Sequence, residues 1–401
     1  MDADETEKKF NSDIIYNKYE DLLNNLNNNI PSPIGFRIAE SPIFLSNDFR
    51  DRIIMAGNYI IDFILHPDFK QITEDSIPKK WRCANENNHP HVIIMDFAIH
   101  NDTNGNLVPK LIELQGFPSI YALQADLGMF YQTIYGIPDN WNIYFNGLDR
   151  IHYFNLLKET IVGSHQPDEV VLLDINPHKQ HTAADFYLTQ KYLGISIVSL
   201  TDLQRKGKQL FYECQGKQKL IKRIYNRLVF DEIADKENIF EENVDLRQDL
   251  DVEWITHPHW FYRISKYILP YLKGEFIPKT YFLNQINQNL PNDLENYVLK
   301  PLFSFGGRGV LIDITKDDIK KIEDPFEWII QEKVEYHPLF HFNLQDIKGE
   351  IRLMYLWPDD YKRPILTTNS TRLSNGKTIN VRHNENSRWT GASIAFIQNS
   401  N

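Results

Sequence analysis

Tyr297-Val298-Leu299-Lys300-Pro301-Leu302-Phe303-Ser304-Phe305-Gly306-Gly307-Arg308-Gly309-Val310 is the stretch whose reading decides the fold. A short apolar run ends in a lysine and a proline. A glycine-rich loop follows, and apolar residues resume at Val310-Leu311-Ile312. That order predicts a strand, a flexible tip and a returning strand. Glycine admits positive φ and close approach of the backbone, so such a tip can lay amide N–H groups along phosphate oxygens. Lys300, at the strand's end, adds an ammonium group to the same phosphates. Glycine pairs are common, and taken alone the loop reads as a surface hairpin with a loose turn. It does not match G-x-x-x-x-G-K-[ST], nor does it lie between a strand and a helix as a dinucleotide fingerprint does.

Bulk properties narrow the classes. The 401 residues suit two or three packed units, and 42% hydrophobic with 24% charged residues is ordinary globular composition. A formal net charge of -11 argues against a general nucleic-acid or anionic-membrane binder, so phosphate handling requires local clusters of Lys and Arg. No apolar run has the length of a membrane span and no signal peptide opens the chain, which predicts a cytoplasmic protein. Cys83 and Cys214 lack metal-ligand spacing and read as two buried thiols in a reducing compartment.

Near the front, residues 91–99 form an apolar run interrupted by Asp96. Turn chemistry at 102–105 leads into residues 109–115, where Glu113 and Gln115 lie two apart and so on one strand face. Paired strands would bring Asp96, Glu113 and Gln115 together as oxygen ligands suited to Mg²⁺. The plainer alternative leaves Asp96 at a strand end and Glu113 in solvent. Helical spacing predicts helices within residues 1–30 and over 47–65, the latter with Ile53, Ile54, Tyr59, Ile60 and Phe63 facing inward. Residues 151–255 read as a separate α/β unit: strand 169–174, helix 181–193, strand 195–200, hence a parallel sheet. Residues 222–228 carry three cations and read as an exposed basic strand or a substrate-facing edge. Residues 254–272 turn helical in their second half, placing Arg263 and Lys266 one turn apart. Strands at 328–335 and 349–356 follow, the second with Glu350 and Arg352 on one face. Arg372, Arg382 and Arg388 come last, and several arginines near a phosphate loop in an acidic protein point to anion chemistry.

The order Lys266, Pro278-Lys279-Thr280, Val298-Leu299-Lys300-Pro301, glycine loop, Gln331-Glu332-Lys333-Val334, Glu350-Ile351-Arg352 resembles the ATP-grasp superfamily. The resemblance implies an α/β (α+β) fold whose two β-rich lobes grip ATP. It implies that Lys266 and Lys300 touch phosphates beneath a loop of Ser304, Gly306, Gly307 and Gly309. It also implies that Gln331, Glu332, Lys333 and Val334 read adenine, that Glu335 holds the ribose, and that Arg352 and Arg372 stabilise the transferred phosphoryl group. The acidic strand pair that most members carry last stands here at the front, as Asp96 and Glu113-Leu114-Gln115. That arrangement looks like the circular permutation of eukaryotic-type glutathione synthetases and the glutathionylspermidine synthetase group. Gln115 stands where those families place Asn, and Ile94 where they place Arg, leaving Arg82, Arg308 and Arg382 as substitute cations. The implied domains are 1–150 with the metal-binding strand pair, 151–255 as a Rossmann-like pre-ATP-grasp substrate domain, and 256–401 as the nucleotide-binding lobes. The implied activity is an ATP- and Mg²⁺-dependent ligase acting on a small-molecule carboxylate and an amine or thiol, with no nucleic-acid or membrane partner. A phosphotransferase and an inactive nucleotide-binding partner protein are the alternatives.

Overall fold

The computed structural model describes residues 15–230, 239–286, 289–304, 306–342, 345–376, 379 and 388–398. The largest sheet joins the two ends of the sequence. Its strand order is Gly391–Ser393, Ile365–Ser374, Gln345–Leu356, Val92–Asn101, Leu107–Gln115, all antiparallel, and Pro338–Phe342 also pairs with Gln345–Leu356. Val92 to Ile99 are buried at every position, so this strand is covered on both faces and reads as an apolar run broken only by Asp96. Its register sets Asp96 opposite both Arg352 and Glu113, and Glu350 opposite Arg372. A β-bulge falls immediately after Asp96. The helix Asn47–Ile64 packs on the Leu107–Gln115 strand, and its first turn is held by the Ser46 side chain, which accepts from the Phe49 N–H.

A second, three-stranded antiparallel sheet runs Thr280–Phe282, Trp328–Glu332, Tyr297–Pro301. A third is wholly parallel, in the order Glu253–Ile255, Arg223–Asn226, Val170–Asp174, Ser196–Ser199. The predicted strand–helix–strand unit is therefore present, with its helix at Ala183–Leu193. Ile43–Leu45 lies parallel to Ala395–Gln398, which also pairs with Trp141–Asn142. One large apolar core runs under the six-stranded sheet. A second fills the space beside the parallel sheet, and a third lies within residues 283–330. The chain is thus a mixed α/β structure of several sheets. Among the described residues no helix is long and apolar enough to cross a membrane.

Four sequence readings need correction. Tyr59 does not face inward: it is 40% exposed, and Ala56 and Gly57 take the buried stripe. The basic strand at 222–228 is not an edge, and of its residues only Lys222 is exposed. Arg223–Asn226 is an interior strand, buried throughout. It can be so because Arg223 donates to Glu253 at 2.8 Å, Asp359 at 2.9 Å and the Thr160 carbonyl at 2.9 Å, and the two carboxylates neutralise it. The strand returning from the glycine loop shrinks to one bridge, in which Leu299 and Leu311 exchange backbone hydrogen bonds of 3.0 and 2.9 Å. The 254–272 segment breaks into a helix His259–Arg263 and a 3-10 turn Lys266–Tyr271. The break turns Arg263 toward Glu74 and Glu86, away from Lys266.

Candidate active site

Two cavities of about 150 and 240 Å³ share Glu113 and Arg372. The smaller one lies between the three-stranded sheet and the six-stranded sheet. Ile112, Val298, Val310 and Ile312 give it apolar walls, and residues 331–334 line one edge. A narrow slot of that kind suits a flat heteroaromatic ring.

Lys300 occupies the slot's inner end and is 7% exposed. Its ammonium donates to Gln331 Oε1 at 2.6 Å and to the Ile112 carbonyl at 3.1 Å. Burial pushes its pKa down to about 8, although Glu113 pulls the other way. Lys266 is equally deep: its Nζ donates to the Ser304 carbonyl and lies 3.9 Å from Glu113 Oε2. The front strand pair and the rear lysines thus meet at one place. Gly306, Gly307 and Gly309 all have positive φ, the conformation that makes glycine necessary in this loop. The Ser304 hydroxyl is buried and finds no hydrogen-bond partner.

The remaining predicted residues divide. Gln331 is buried and donates to Thr280 Oγ1 at 3.3 Å, while Glu332, Lys333 and Val334 line the slot. Glu332 and Lys333 are also anchored, the first accepting from the Lys279 N–H at 3.2 Å and the second donating to Asp313 at 2.6 Å. Glu335 is exposed and lines neither cavity; Tyr336 lines the slot instead. Arg308 is exposed at the loop tip and also lines neither cavity. Arg82 pairs with Glu74, far in the chain from the slot residues, and Arg382 lies outside the described residues.

Asp96 corrects the metal-ligand expectation. It is 1% exposed. Arg352 grips it by two hydrogen bonds, 2.6 and 2.7 Å, and Arg372 adds a third at 2.5 Å. Burial alone would push this carboxyl up, but the two guanidinium groups outweigh it and hold the pKa below the ordinary carboxylate range. Both oxygens are engaged, so Asp96 positions arginines and is not open to a cation. Arg372 continues to Glu350 at 2.7 Å, and Glu350 accepts from the Tyr336 hydroxyl. Among the described residues no group of three His, Cys, Asp or Glu side chains is arranged to hold a metal. Glu113 and Gln115 remain together on the wall of the larger cavity.

That larger cavity sits at the carboxyl ends of the parallel strands, where Asp174 and Arg227 join its wall. Open α/β sheets commonly bind ligands there. Arg227 is a functional candidate that the sequence reading did not single out from a stretch taken as an exposed basic strand or a substrate-facing edge. It is 8% exposed, with Phe117 and Phe186 rings 5.3 and 5.2 Å from its guanidinium carbon. Its Nε and Nη1 find no hydrogen-bond acceptor. A buried guanidinium in that state is ready for an anion.

No family model matches the chain, and no curated protein matches it. Among solved structures it is similar to a glutathione synthetase-like effector, GSS30, of Globodera pallida in its apo form. The similarity covers 98% of this chain and 99% of that one, with a TM-score of 0.58 and 11% identity. At that identity it is the fold that is shared, and the chain has a glutathione synthetase-like fold.

Proposed function

We propose that the protein is an ATP-dependent ligase of the ATP-grasp type, in circularly permuted order, that joins a small carboxylate to an amine or thiol. The observation that carries this reading is Lys300, whose ammonium touches both the front strand pair at Ile112 and the rear sheet at Gln331. Adenine would lie between the apolar walls of the slot, and the triphosphate would run toward Lys300, Lys266 and the glycine loop. In this reading residues 1–150 bring the acidic strand pair, 151–255 the wall that binds the acceptor, and 256–401 the nucleotide lobes.

The chemistry asked of the chain is electrostatic. A substrate carboxylate attacks the γ-phosphorus, ADP leaves, and the amine or thiol then displaces phosphate from the acyl phosphate. Lys300 and Lys266 neutralise phosphate charge, and Asp96 holds Arg352 and Arg372 at the junction of the two cavities. Arg227 takes an anionic group of the substrate in the larger cavity. Glu113 and Gln115, two apart on one strand, would hold a single Mg²⁺, which would supply positive charge to offset that of the phosphates. No side-chain nucleophile is required.

A second reading is a nucleotide-binding protein without turnover. It is favoured by Ile94, fully buried where the resembled families place a phosphate-facing arginine. Incubating the protein with MgATP and pools of amino acids, short peptides and polyamines separates the readings. ADP, phosphate and a condensed product support the ligase. ADP without free phosphate makes it a kinase, and nucleotide binding with no ADP makes it a binder.

A further inference from the structure

A third cavity, of about 390 Å³, shares no lining residue with the two described above. Tyr267, Tyr271 and Phe282 form one wall, with ring centroids 5.2 to 6.0 Å apart. Phe326 stands on its rim at 69% exposure and Tyr271 at 41%. Large aromatic side chains left in water beside one cavity mark a surface that gains by being covered. The charge on the lining has one sign: Asp75 and Glu327 belong to it, and no lysine or arginine does. Aromatic rings attract cations through their quadrupoles, and carboxylates at the same opening add to that attraction.

We propose that this cavity binds a small organic cation of the quaternary-ammonium type, held against the rings and balanced by Asp75 and Glu327. An anion or a neutral apolar molecule lacks that complementarity. The site also borders the glycine loop. Tyr267 follows Lys266 and Phe303 precedes Ser304, so lining residues flank both partners of the Lys266–Ser304 hydrogen bond. The cavity is thus next in the chain to the loop's anchor on both sides.

The test uses the full chain and choline as the probe, with 3,3-dimethylbutan-1-ol as its uncharged counterpart of nearly the same shape. Calorimetric titration is expected to show saturable choline binding, about tenfold or more tighter than the alcohol. Tyr271→Leu and Asp75→Asn, both at exposed side chains, should each weaken choline by about threefold or more. A thermal unfolding scan of each variant checks that the fold is intact. Equal affinity for choline and the alcohol would overturn the proposal. So would the absence of saturable choline binding, or unchanged binding by both variants.

Discussion

The ammonium of Lys300 donates to the backbone carbonyl of Ile112 at 3.1 Å, although the two residues stand 188 positions apart. This contact makes one site of two distant pieces of sequence. Replacing Lys300 with Met keeps the side chain's length and removes its charge. ATP affinity is expected to fall by about tenfold or more, as loss of a buried charge-assisted contact to phosphate implies. Fluorescence or calorimetric titration reads this directly, and unchanged affinity would remove the lysine from the nucleotide site.

The same lysine gives a pH signature. Burial sets its pKa at about 8, below the 10.5 of a free lysine. Below pH 8 the group is charged and ready for phosphate; above it, binding must first restore the proton. ATP binding should therefore take up protons above about pH 8 and weaken as pH rises. The stability effect has the opposite sense. Between these two values the unfolded chain holds more protons, so the ligand-free fold gains stability as pH rises through that window. Titrations in buffers of different ionisation heat measure the uptake, and Lys300→Arg, which stays charged, should abolish it.

Asp96→Asn tests whether this acid anchors arginines. Removing its charge leaves Arg352 and Arg372 facing each other in a buried site, at a cost of about 3–5 kcal/mol. Urea unfolding measures it; a loss below about 1 kcal/mol would contradict the anchoring role. The carboxyl's folded pKa lies below its unfolded one, so its contribution is present at neutral pH and disappears as acid drives the pH down through the folded value.

Glu113→Gln should lower ATP turnover far more than it lowers nucleotide binding, because the slot's apolar walls and Lys300 remain. Parallel measurement of ADP release and nucleotide affinity checks the split. Equal turnover in the variant and the parent chain would exclude Glu113 from the phosphate chemistry.

Gly57 is a packing test away from the site. A Cβ there would stand 2.1 Å from the Tyr355 hydroxyl, a buried group with no hydrogen-bond partner. Gly57→Ala is expected to destabilise the fold by about 1–3 kcal/mol despite alanine's better helix propensity. Adding Tyr355→Phe should recover most of the loss, since it removes the clashing atom. Thermal unfolding of the single and double variants decides.

Much of this site can be read in the linear chain, and the parts that cannot share one cause. The strand pair carrying Asp96 and Glu113 and the lysine hairpin were legible because apolar runs and turn residues are local signals. The partners of Asp96 were not, because Arg352 and Arg372 reach it only after distant strands pair. Arg223 and Arg227 looked like exposed cations for a related reason. A cation's residue type does not reveal the carboxylates or aromatic rings that allow its burial. Tyr59 was misplaced because its spacing fits the helix stripe, whereas the choice between Tyr59 and Gly57 depends on Tyr355 across the core.

The sheet that seats the site also sets a timetable for synthesis. Val92–Asn101 cannot acquire its Gln345–Leu356 neighbour until the ribosome has added some 256 further residues, the separation of Asp96 from Arg352. At ordinary elongation rates of about 5–20 residues per second, that is a wait of roughly 10–50 s. During this time a strand that is apolar but for Asp96 over residues 92–99 has one edge open. An open strand edge of this kind is a template for wrong pairing until the last quarter of the chain emerges.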